Sequence, residues 1–505
     1  MSESSPPSGS LPAEPRPEAY APPAGARAEI DTPAGTARVD ADWILLRERE
    51  RVVADVFTVS YRRAASDGDP ERPVTFVFNG GPGASSAYLH VGALGPRRVR
   101  FESAGAPPPP PARLEPNPQT WLHFTDLVFI DPVGTGFSRA LAEIDPRPPG
   151  TKDAEPKGEA PSIPFWAVEK DLDALGEAIS RWLSKHHRWT SPAFLAGESY
   201  GGFRVARMAR SLQEKIGIGL NGVSLISPAL ELMLLFGSDY DSLAWCDVFP
   251  SMALAAAYHG RAATPWQPDH IQTLQEESEQ FAAHRLAPLL ALGEAVPAEE
   301  RRAVLEEQSQ RLSLSFDGVQ RRLGRVSAPD FVRELMRDER RVLGLYDASL
   351  TAVDPFPDRP SFEGPDPTLW AIERVFTAGI NHLLRAEIGV DTERDYRILN
   401  MAVNQAWKVD RPRHGLDSRL GATDELRYAM SLNPHLKVFV SHGLFDLVTP
   451  YAASKRLMGL MRLDNPDRIL RREYLGGHMF YCWERSRQAF FRDGRTFTEG
   501  AVRPG

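Results

Sequence analysis

Residues 193–202 read Ala-Phe-Leu-Ala-Gly-Glu-Ser-Tyr-Gly-Gly, a short apolar run followed by a serine between glycines. The apolar run predicts a buried strand, and residues 202–215 predict a helix. A strand that turns sharply into a helix holds the central residue in a strained conformation, so it needs small neighbours. We therefore interpret Ser199 as a nucleophile at the carboxyl end of a strand, beside a helix N-terminus that favours developing negative charge.

Short apolar runs alternate with helical patterns on both sides of this stretch. Strands are predicted at 74–78, 126–130, 223–226, 436–440 and 469–475. Two more are predicted within 36–61, and a helix is predicted within 166–189. Strands that alternate with helices are typical of a mostly parallel sheet covered by helices on both faces. The predicted fold class is therefore α/β.

The chain divides into three predicted parts. Residues 1–35 form a Pro/Ala-rich tail that we expect to be disordered, because it has too little apolar surface to bury. Residues 236–399 are rich in Leu, Ala, Arg and Glu and predict a mainly helical cap. Residues 36–235 and 400–505 form the predicted catalytic core. The tail lacks the basic start and apolar stretch of a secretory signal, and no window predicts a membrane helix, so we expect a cytoplasmic protein.

Composition excludes several classes of function. The 505 residues carry a formal net charge of −8, and the basic clusters are short, so we expect no nucleic-acid partner. The two cysteines, Cys246 and Cys482, allow one bridge but not a disulfide framework. No Cys/His spacing indicates a zinc site, and we expect no metal or cofactor.

A serine hydroxyl needs a base, and the base needs an acid to orient it. In the α/β-hydrolase fold these partners follow the nucleophile in the order Asp, His. Asp446 follows the strand predicted at 436–440, and His478 follows Gly476 and Gly477 after the last predicted strand. His442 is the rival base, but it precedes Asp446 and lies at a strand end.

A glycine-rich stretch, Asn-Gly-Gly-Pro-Gly-Ala-Ser-Ser at 79–86, follows another predicted strand. A phosphate loop would end in Gly-Lys-Ser/Thr, which is absent from this stretch. The turn can instead supply one backbone N–H of an oxyanion hole, with the N–H of Tyr200 as the second. A tight turn without chemistry is the alternative interpretation.

Together these segments resemble the serine carboxypeptidase family, peptidase family S10. The chain is most similar in pattern to a bacterial-type member of that family. The resemblance is carried by 79–86, 95–96, 117–121, 131–138, 197–202, 442–449 and 476–479. It is thin between 260 and 395. The resemblance implies an α/β-hydrolase fold and a catalytic triad of Ser199, Asp446 and His478. It implies an oxyanion hole made by the N–H groups of Gly81 and Tyr200. It also implies a site for the substrate carboxylate made by Asn79, Glu198 and the N–H of Gly80.

By the same resemblance, the chain is a serine-type carboxypeptidase that releases C-terminal residues from peptides through an acyl-enzyme, as a monomer or a dimer. The sequence departs from the family pattern at Val77, where a Trp is common, and at Ala93, where a Glu is common. Ala84 and Thr449 replace two family cysteines. An esterase or acyltransferase on the same fold, and a binding protein with an idle site, are the alternative functions.

Overall fold

The computed structural model describes residues 20–63, 72–144, 163–262, 267, 270–410 and 420–502. The tail at 1–19 lies outside the described residues. The strands are β1 (Ala26–Thr32), β2 (Gly35–Glu48), β3 (Arg51–Arg63), β4 (Val74–Phe78), β5 (Arg97–Val99), β6 (Leu114–Pro116), β7 (Asp126–Ile130), β8 (Arg139–Ala140), β9 (Ala193–Glu198), β10 (Gly222–Ile226), β11 (Arg341–Leu343), β12 (Thr351–Val353), β13 (Lys437–Gly443) and β14 (Ile469–Tyr474).

The α-helices among the described residues cover both faces of the sheet and build the cap. They are α1 (Ala87–Leu89), α2 (Leu141–Ile144), α3 (Val168–Lys185), α4 (Tyr200–Ser211), α5 (Leu243–Tyr258), α6 (Ile271–Phe281), α7 (Ala287–Leu292), α8 (Ala298–Leu312), α9 (Phe316–Arg321), α10 (Ala328–Glu334), α11 (Leu369–Asn381), α12 (Met401–Ala406), α13 (Thr423–Leu432), α14 (Tyr451–Leu460) and α15 (Glu484–Val502). None of the helices in the described part of the chain has the length and apolar character needed to cross a membrane.

The central sheet has the strand order β1-β2-β3-β7-β4-β9-β10-β13-β14, with β8 paired to β3. In this order the strands β7, β4, β9, β10, β13 and β14 run parallel to one another. Strands β1, β2 and β3 pair in antiparallel fashion at one edge. The predicted α/β fold with a mostly parallel sheet is confirmed. Because parallel strands end at the same side, the loops after β4, β9, β13 and β14 meet at one edge of the sheet.

Two apolar clusters cover the two faces of the sheet. On one face Leu172, Leu175 and Ile179 of α3 lie in the same apolar cluster as sheet residues such as Phe76, and the Trp182 ring of α3 meets the Phe76 ring edge-on at 5.4 Å. On the other face Phe490 and Phe497 of α15 pack against the sheet. The stripe of α3 has the spacing that predicts an amphipathic helix in the sequence.

The predicted boundary of the tail at residue 35 is wrong, because the chain enters the sheet earlier. Strand β1 pairs with β2 from Ala26↔Ala41 to Thr32↔Gly35. Backbone hydrogen bonds hold this edge strand, and its side chains are largely exposed apart from Ile30. An edge strand with so few buried side chains gives little apolar signal, so the composition of residues 1–35 did not separate it from the tail.

The cap has its own apolar core, formed by residues between Cys246 and Ala348 together with a few residues of the catalytic loops. The predicted cap boundary at 399 does not coincide with a change in packing. Helix α11 buries Ile372, Val375 and Phe376 in the cluster of the catalytic core. The composition of this region predicted a helix, but it did not indicate that the helix packs against the catalytic core.

Candidate active site

Ser199 lies at the turn between β9 and α4, as the sequence predicts. Its backbone has φ 59° and ψ −125°, the strained geometry expected for an exposed nucleophile. Ile226 O accepts a hydrogen bond from Ser199 N at 2.9 Å, and Ser199 O accepts one from Ala229 N at 3.1 Å. Ser199 is half-buried while Glu198 and Tyr200 are buried. The turn therefore presents the serine and hides its neighbours.

Gly80 packs directly against this turn. A Cβ at position 80 would lie 2.6 Å from Tyr200 N and 2.9 Å from Ser199 Cβ. Those distances are shorter than any real Cβ contact, so only glycine permits the approach. The glycine-rich loop predicted as an oxyanion donor therefore lies beside the nucleophile.

Asp446 and His478 are in direct contact. His478 Nδ1 donates to Asp446 Oδ2 at 2.7 Å. Asp446 Oδ1 accepts from Val448 N at 2.9 Å and from Thr449 N at 3.0 Å, so the carboxylate is held on both oxygens. Both side chains are buried. This arrangement fixes the tautomer of the imidazole, with Nε2 left as the base.

The loop after β10 ties the histidine to the nucleophile turn. Ser227 Oγ donates to the backbone oxygen of His478 at 2.8 Å. Thr449 Oγ1 lies 3.0 Å from Ser227 O and 2.7 Å from Asp446 Oδ2. Ala229, two residues further, holds Ser199 O. One loop therefore positions the serine, the acid and the histidine relative to one another.

The charge on Asp446 acts on the histidine pKa. Burial lowers the pKa of His478, but the charge and hydrogen bond of Asp446, together with the charge of Glu198, raise it above its ordinary value overall. An imidazole whose protonated form is stabilised accepts a proton from serine more readily. The pair has the electrostatics of a general base.

His442, the rival base, lies on β13 and is fully enclosed. Neither of its ring nitrogens has a hydrogen-bond partner among the described residues. Burial lowers its pKa to about 4, so the ring is neutral in ordinary buffers. His442 lacks the carboxylate partner that raises the pKa of His478, so it is the weaker base of the two.

The backbone donors predicted for the oxyanion hole are free. Within the described ranges, neither the N–H of Gly81 nor that of Tyr200 donates to another residue. Gly81 is exposed, and Tyr200 is the first residue of α4. Unpaired N–H groups beside a nucleophile can stabilise an oxyanion. Their role stays a prediction.

Glu198 is buried next to the nucleophile. Asn79 Nδ2 donates to its Oε2, and Tyr481 OH donates to its Oε1 at 2.8 Å. Burial raises the pKa of the Glu198 carboxyl to about 7, against the lowering effects of His478, Tyr481 and Asn79. Glu198 therefore changes charge near neutral pH, unlike an ordinary glutamate.

The departure at Ala93 removes a second carboxyl group from this network. Ala93 contributes only its backbone oxygen, which accepts from Asn117 Nδ2 at 2.8 Å. Tyr481, which the sequence analysis did not single out, is the hydroxyl partner of Glu198 instead. Tyr481 follows His478 by three residues in a segment without a motif of its own.

Arg204 positions the glycine-rich loop and was also missed. Its guanidinium donates to Asn79 O at 2.7 Å and to Gly80 O at 3.3 Å. Its Nε donates to Asp171 Oδ2 of α3 at 2.6 Å. The whole group is buried. An arginine on the inner face of the helix that follows the nucleophile is the signal that could have identified it.

A segment of the cap, residues 345–348, lies between the two catalytic loops. Leu447 N donates to Leu345 O at 3.1 Å, and Ala348 N donates to Phe445 O at 3.0 Å. His478 N donates to Tyr346 O at 2.5 Å, and the Tyr346 ring meets the His478 ring edge-on at 5.4 Å. The cap therefore contributes to the position of the base. No motif in the sequence indicates this contribution.

Both cysteines are free and buried, so the bridge that the sequence allowed is not formed. No cluster of three potential metal ligands occurs in the parts of the chain that the structure describes.

The fold and the residues at the carboxyl edge of the central sheet define an α/β hydrolase. A serine follows one strand, and an aspartate and a histidine each follow a later strand. The family model for serine carboxypeptidases matches residues 58–244. Over this region the chain is similar to serine carboxypeptidases.

Curated relatives match about a third of the chain. Serine carboxypeptidase-like 5 of Arabidopsis thaliana is 26% identical over 178 residues, 35% of each chain. Retinoid-inducible serine carboxypeptidase of Rattus norvegicus is 29% identical over 184 residues, 35% of this chain and 32% of the relative. The match thus spans about a third of the length of these relatives.

A solved structure extends the likeness of fold to nearly the whole chain. The prohormone-processing carboxypeptidase of Saccharomyces cerevisiae covers 92% of both chains with a TM-score of 0.53 and 15% identity. At that identity the comparison supports the α/β-hydrolase fold alone.

Proposed function

We propose that this chain is a serine-type carboxypeptidase that removes C-terminal residues from peptides through an acyl-enzyme. The match of residues 58–244 to the family model for serine carboxypeptidases supports this function. The observation that carries it is the buried Glu198, which adjoins the nucleophile and has a pKa of about 7. A carboxyl group that is protonated near neutral pH can share a hydrogen bond with a substrate carboxylate.

In the proposed reaction, Asn79, the N–H of Gly80 and protonated Glu198 bind the α-carboxylate of the substrate. His478 Nε2 takes the proton of Ser199 as Oγ attacks the scissile carbonyl carbon. The N–H groups of Gly81 and Tyr200 stabilise the oxyanion. The proton then passes from His478 to the leaving amine, and the carbon–nitrogen bond breaks.

Water completes the cycle. His478 deprotonates a water molecule, which attacks the acyl-enzyme, and the proton returns to Ser199 Oγ as the peptide product leaves. Asp446 accepts the hydrogen bond from His478 Nδ1 and stabilises the imidazolium. We propose a cytoplasmic location, which the two free cysteines, Cys246 and Cys482, support.

The ratio of activities on matched substrates tests this function. Below about pH 7 Glu198 is protonated and binds the substrate carboxylate, whereas above that pH it is ionised and repels it. We expect kcat/KM on a free-acid peptide to fall by about tenfold per pH unit above neutrality, relative to the corresponding peptide amide. Titration of His478 affects both substrates equally, so the ratio isolates Glu198.

The variant Glu198→Gln is the matched control, because its amide mimics the protonated carboxyl, accepting from Asn79 and donating to the Tyr481 hydroxyl, and does not titrate. Its free-acid to amide ratio should not change with pH. Equal pH profiles for the two substrates in the wild-type protein would contradict the proposed function. Cleavage of simple esters without release of any C-terminal residue would favour the esterase alternative.

A further inference from the structure

The segment 397–404, at the end of the predicted cap, lies along the glycine-rich loop. Ser85 N donates to Ile398 O at 2.9 Å, and Asn400 N donates to Gly83 O at 2.8 Å. A Cβ at position 83 would lie 2.5 Å from Asn400 O, so the two backbones are in direct contact. The reaction proposed above uses no side chain of this segment.

Asn404 adds a side-chain hydrogen bond to this contact. Its Nδ2 donates to Pro82 O at 3.1 Å. Asn404 lies on α12, which Asn400 caps by accepting from Ala402 N at 3.1 Å. Asn400 Nδ2 also donates to Gly134 O at 2.8 Å, which fixes the start of the helix to the catalytic core. The donor group of Asn404 is therefore presented by a helix whose position is set.

Gly81 lies between two carbonyl groups that are held from different parts of the fold. On one side the Arg204 guanidinium donates to Gly80 O at 3.3 Å. On the other side Asn404 donates to Pro82 O. The N–H of Gly81 itself donates to no described residue. A donor that is already aimed at the oxyanion contributes most to the rate, because the loop then needs no reordering during the reaction.

The contact also has a part that no change at Asn404 removes. The two backbone hydrogen bonds, from Ser85 N and Asn400 N, do not depend on this side chain. Asn404 is only partly buried, so a substitution there opens no cavity in the core. Loss of the amide therefore frees the turn around Gly81 and leaves the fold in place.

Resting on the proposed function, we propose that Asn404 is a positioning residue for the oxyanion hole. Its hydrogen bond to Pro82 O fixes the turn that carries the N–H of Gly81. Asn404 acts through this loop and touches neither the substrate nor the reacting atoms. Because the oxyanion forms only on the way to the transition state, the contribution falls on kcat and not on KM.

Two variants test this role by steady-state kinetics. Asn404→Leu has a similar size without a donor, and the ionised carboxylate of Asn404→Asp only accepts hydrogen bonds. Outright removal of an oxyanion donor costs about a hundredfold or more in kcat, so we expect a loss of about tenfold when one donor is loosened. KM should stay within about twofold of the wild-type value. Gln405→Leu, at the exposed next residue of α12, is the matched control and should keep the wild-type kcat.

A peptide aldehyde measures the oxyanion hole without turnover. Ser199 Oγ adds to the aldehyde carbon, His478 takes the hydroxyl proton, and the carbonyl oxygen becomes an oxyanion at the two N–H groups, with no leaving group. We expect the inhibition constant of the aldehyde to rise by about tenfold in both Asn404 variants. The corresponding peptide alcohol has no carbonyl group and should inhibit the variants and the wild-type protein equally.

The outcomes separate this inference from the proposed function. Wild-type kcat and aldehyde inhibition in the Asn404 variants, a rise in KM alone, or an equal loss with the alcohol would overturn the role of Asn404. The aldehyde and simple esters need no C-terminal carboxylate, so they test Asn404 independently of peptide cleavage. A wild-type protein that hydrolyses esters and binds the aldehyde, but releases no C-terminal residue, would contradict the carboxypeptidase function alone.

Discussion

The loops after β9, β13 and β14 and the cap segment 345–348 build the candidate active site, yet only the loops carry sequence motifs. The loops supply Ser199, Asp446 and His478. The cap segment supplies backbone hydrogen bonds and a ring contact that hold the His478 loop. Sequence motifs thus identify the proposed reacting groups, whereas segments without a motif, such as 345–348, fix the positions of those groups.

The largest expected effect comes from the loops themselves. Ser199→Ala and His478→Ala should each lower kcat/KM on a free-acid peptide by about 10⁴-fold or more, because either change removes the activated nucleophile. The double variant should be no worse than either single one, since the two groups act as a unit. Steady-state kinetics measures this. Ser211→Ala, at the far end of α4, is the control and should keep the wild-type rate.

The contact between loop and cap gives the next largest effect. A Cβ at Gly477 would lie 2.1 Å from Tyr346 O, so Gly477→Ala must separate the cap segment from the His478 loop. A shift of about 1 Å in the base should lower kcat by about a hundredfold. Gly459→Ala in α14 meets nothing within 4 Å and serves as the control. Wild-type kcat in Gly477→Ala would show that the cap segment does not position the base.

The strands and the catalytic loops could be predicted from the sequence, whereas contacts between distant segments could not. Strands β4 and β7 coincide with the predicted runs at 74–78 and 126–130, because buried parallel strands are short and uniformly apolar. The Asp446 and His478 loops could be predicted from their order after terminal strands. Residues such as Tyr346, Arg204 and Tyr481 could not be assigned, because their roles arise from contacts between segments far apart in the chain.

A variant of Arg204 tests whether the position of the glycine-rich loop depends on the hydrogen bonds from this arginine. Arg204→Met removes the donors to Asn79 O and Gly80 O and leaves Asp171 unpaired. We expect a loss of about 3 kcal/mol in the free energy of unfolding, because the buried partner is left uncompensated. We also expect roughly a tenfold loss of kcat, as the oxyanion donors lose their fixed position. Denaturant unfolding and steady-state kinetics measure the two.

The surface pair of Lys215 and Asp173 provides the matched control for that loss of stability. Both side chains are more than half exposed, and Lys215→Met should change the free energy of unfolding by less than about 1 kcal/mol. Similar losses in the two variants would contradict a supporting role for Arg204.

The smallest expected effect concerns Thr449, at a position where the family commonly has cysteine. Its Oγ1 lies 2.7 Å from Asp446 Oδ2 and 3.0 Å from His478 Nδ1. Thr449→Val removes that contact and should cost about 1 kcal/mol, or roughly fivefold in kcat. Thr449→Ser keeps the hydroxyl and should stay near the wild-type rate. A fivefold loss in the serine variant as well would assign the effect to the lost methyl group instead.

In the proposed mechanism Ser199 is the nucleophile, and His478, held by Asp446, activates it. The most direct measurement is the rate at which a peptide phosphonate labels the protein, with the modified residue located by mass spectrometry. We expect one label per chain, on Ser199, and a rate at least about a thousandfold lower in His478→Ala. Labelling at another residue, or an unchanged rate in His478→Ala, would contradict it.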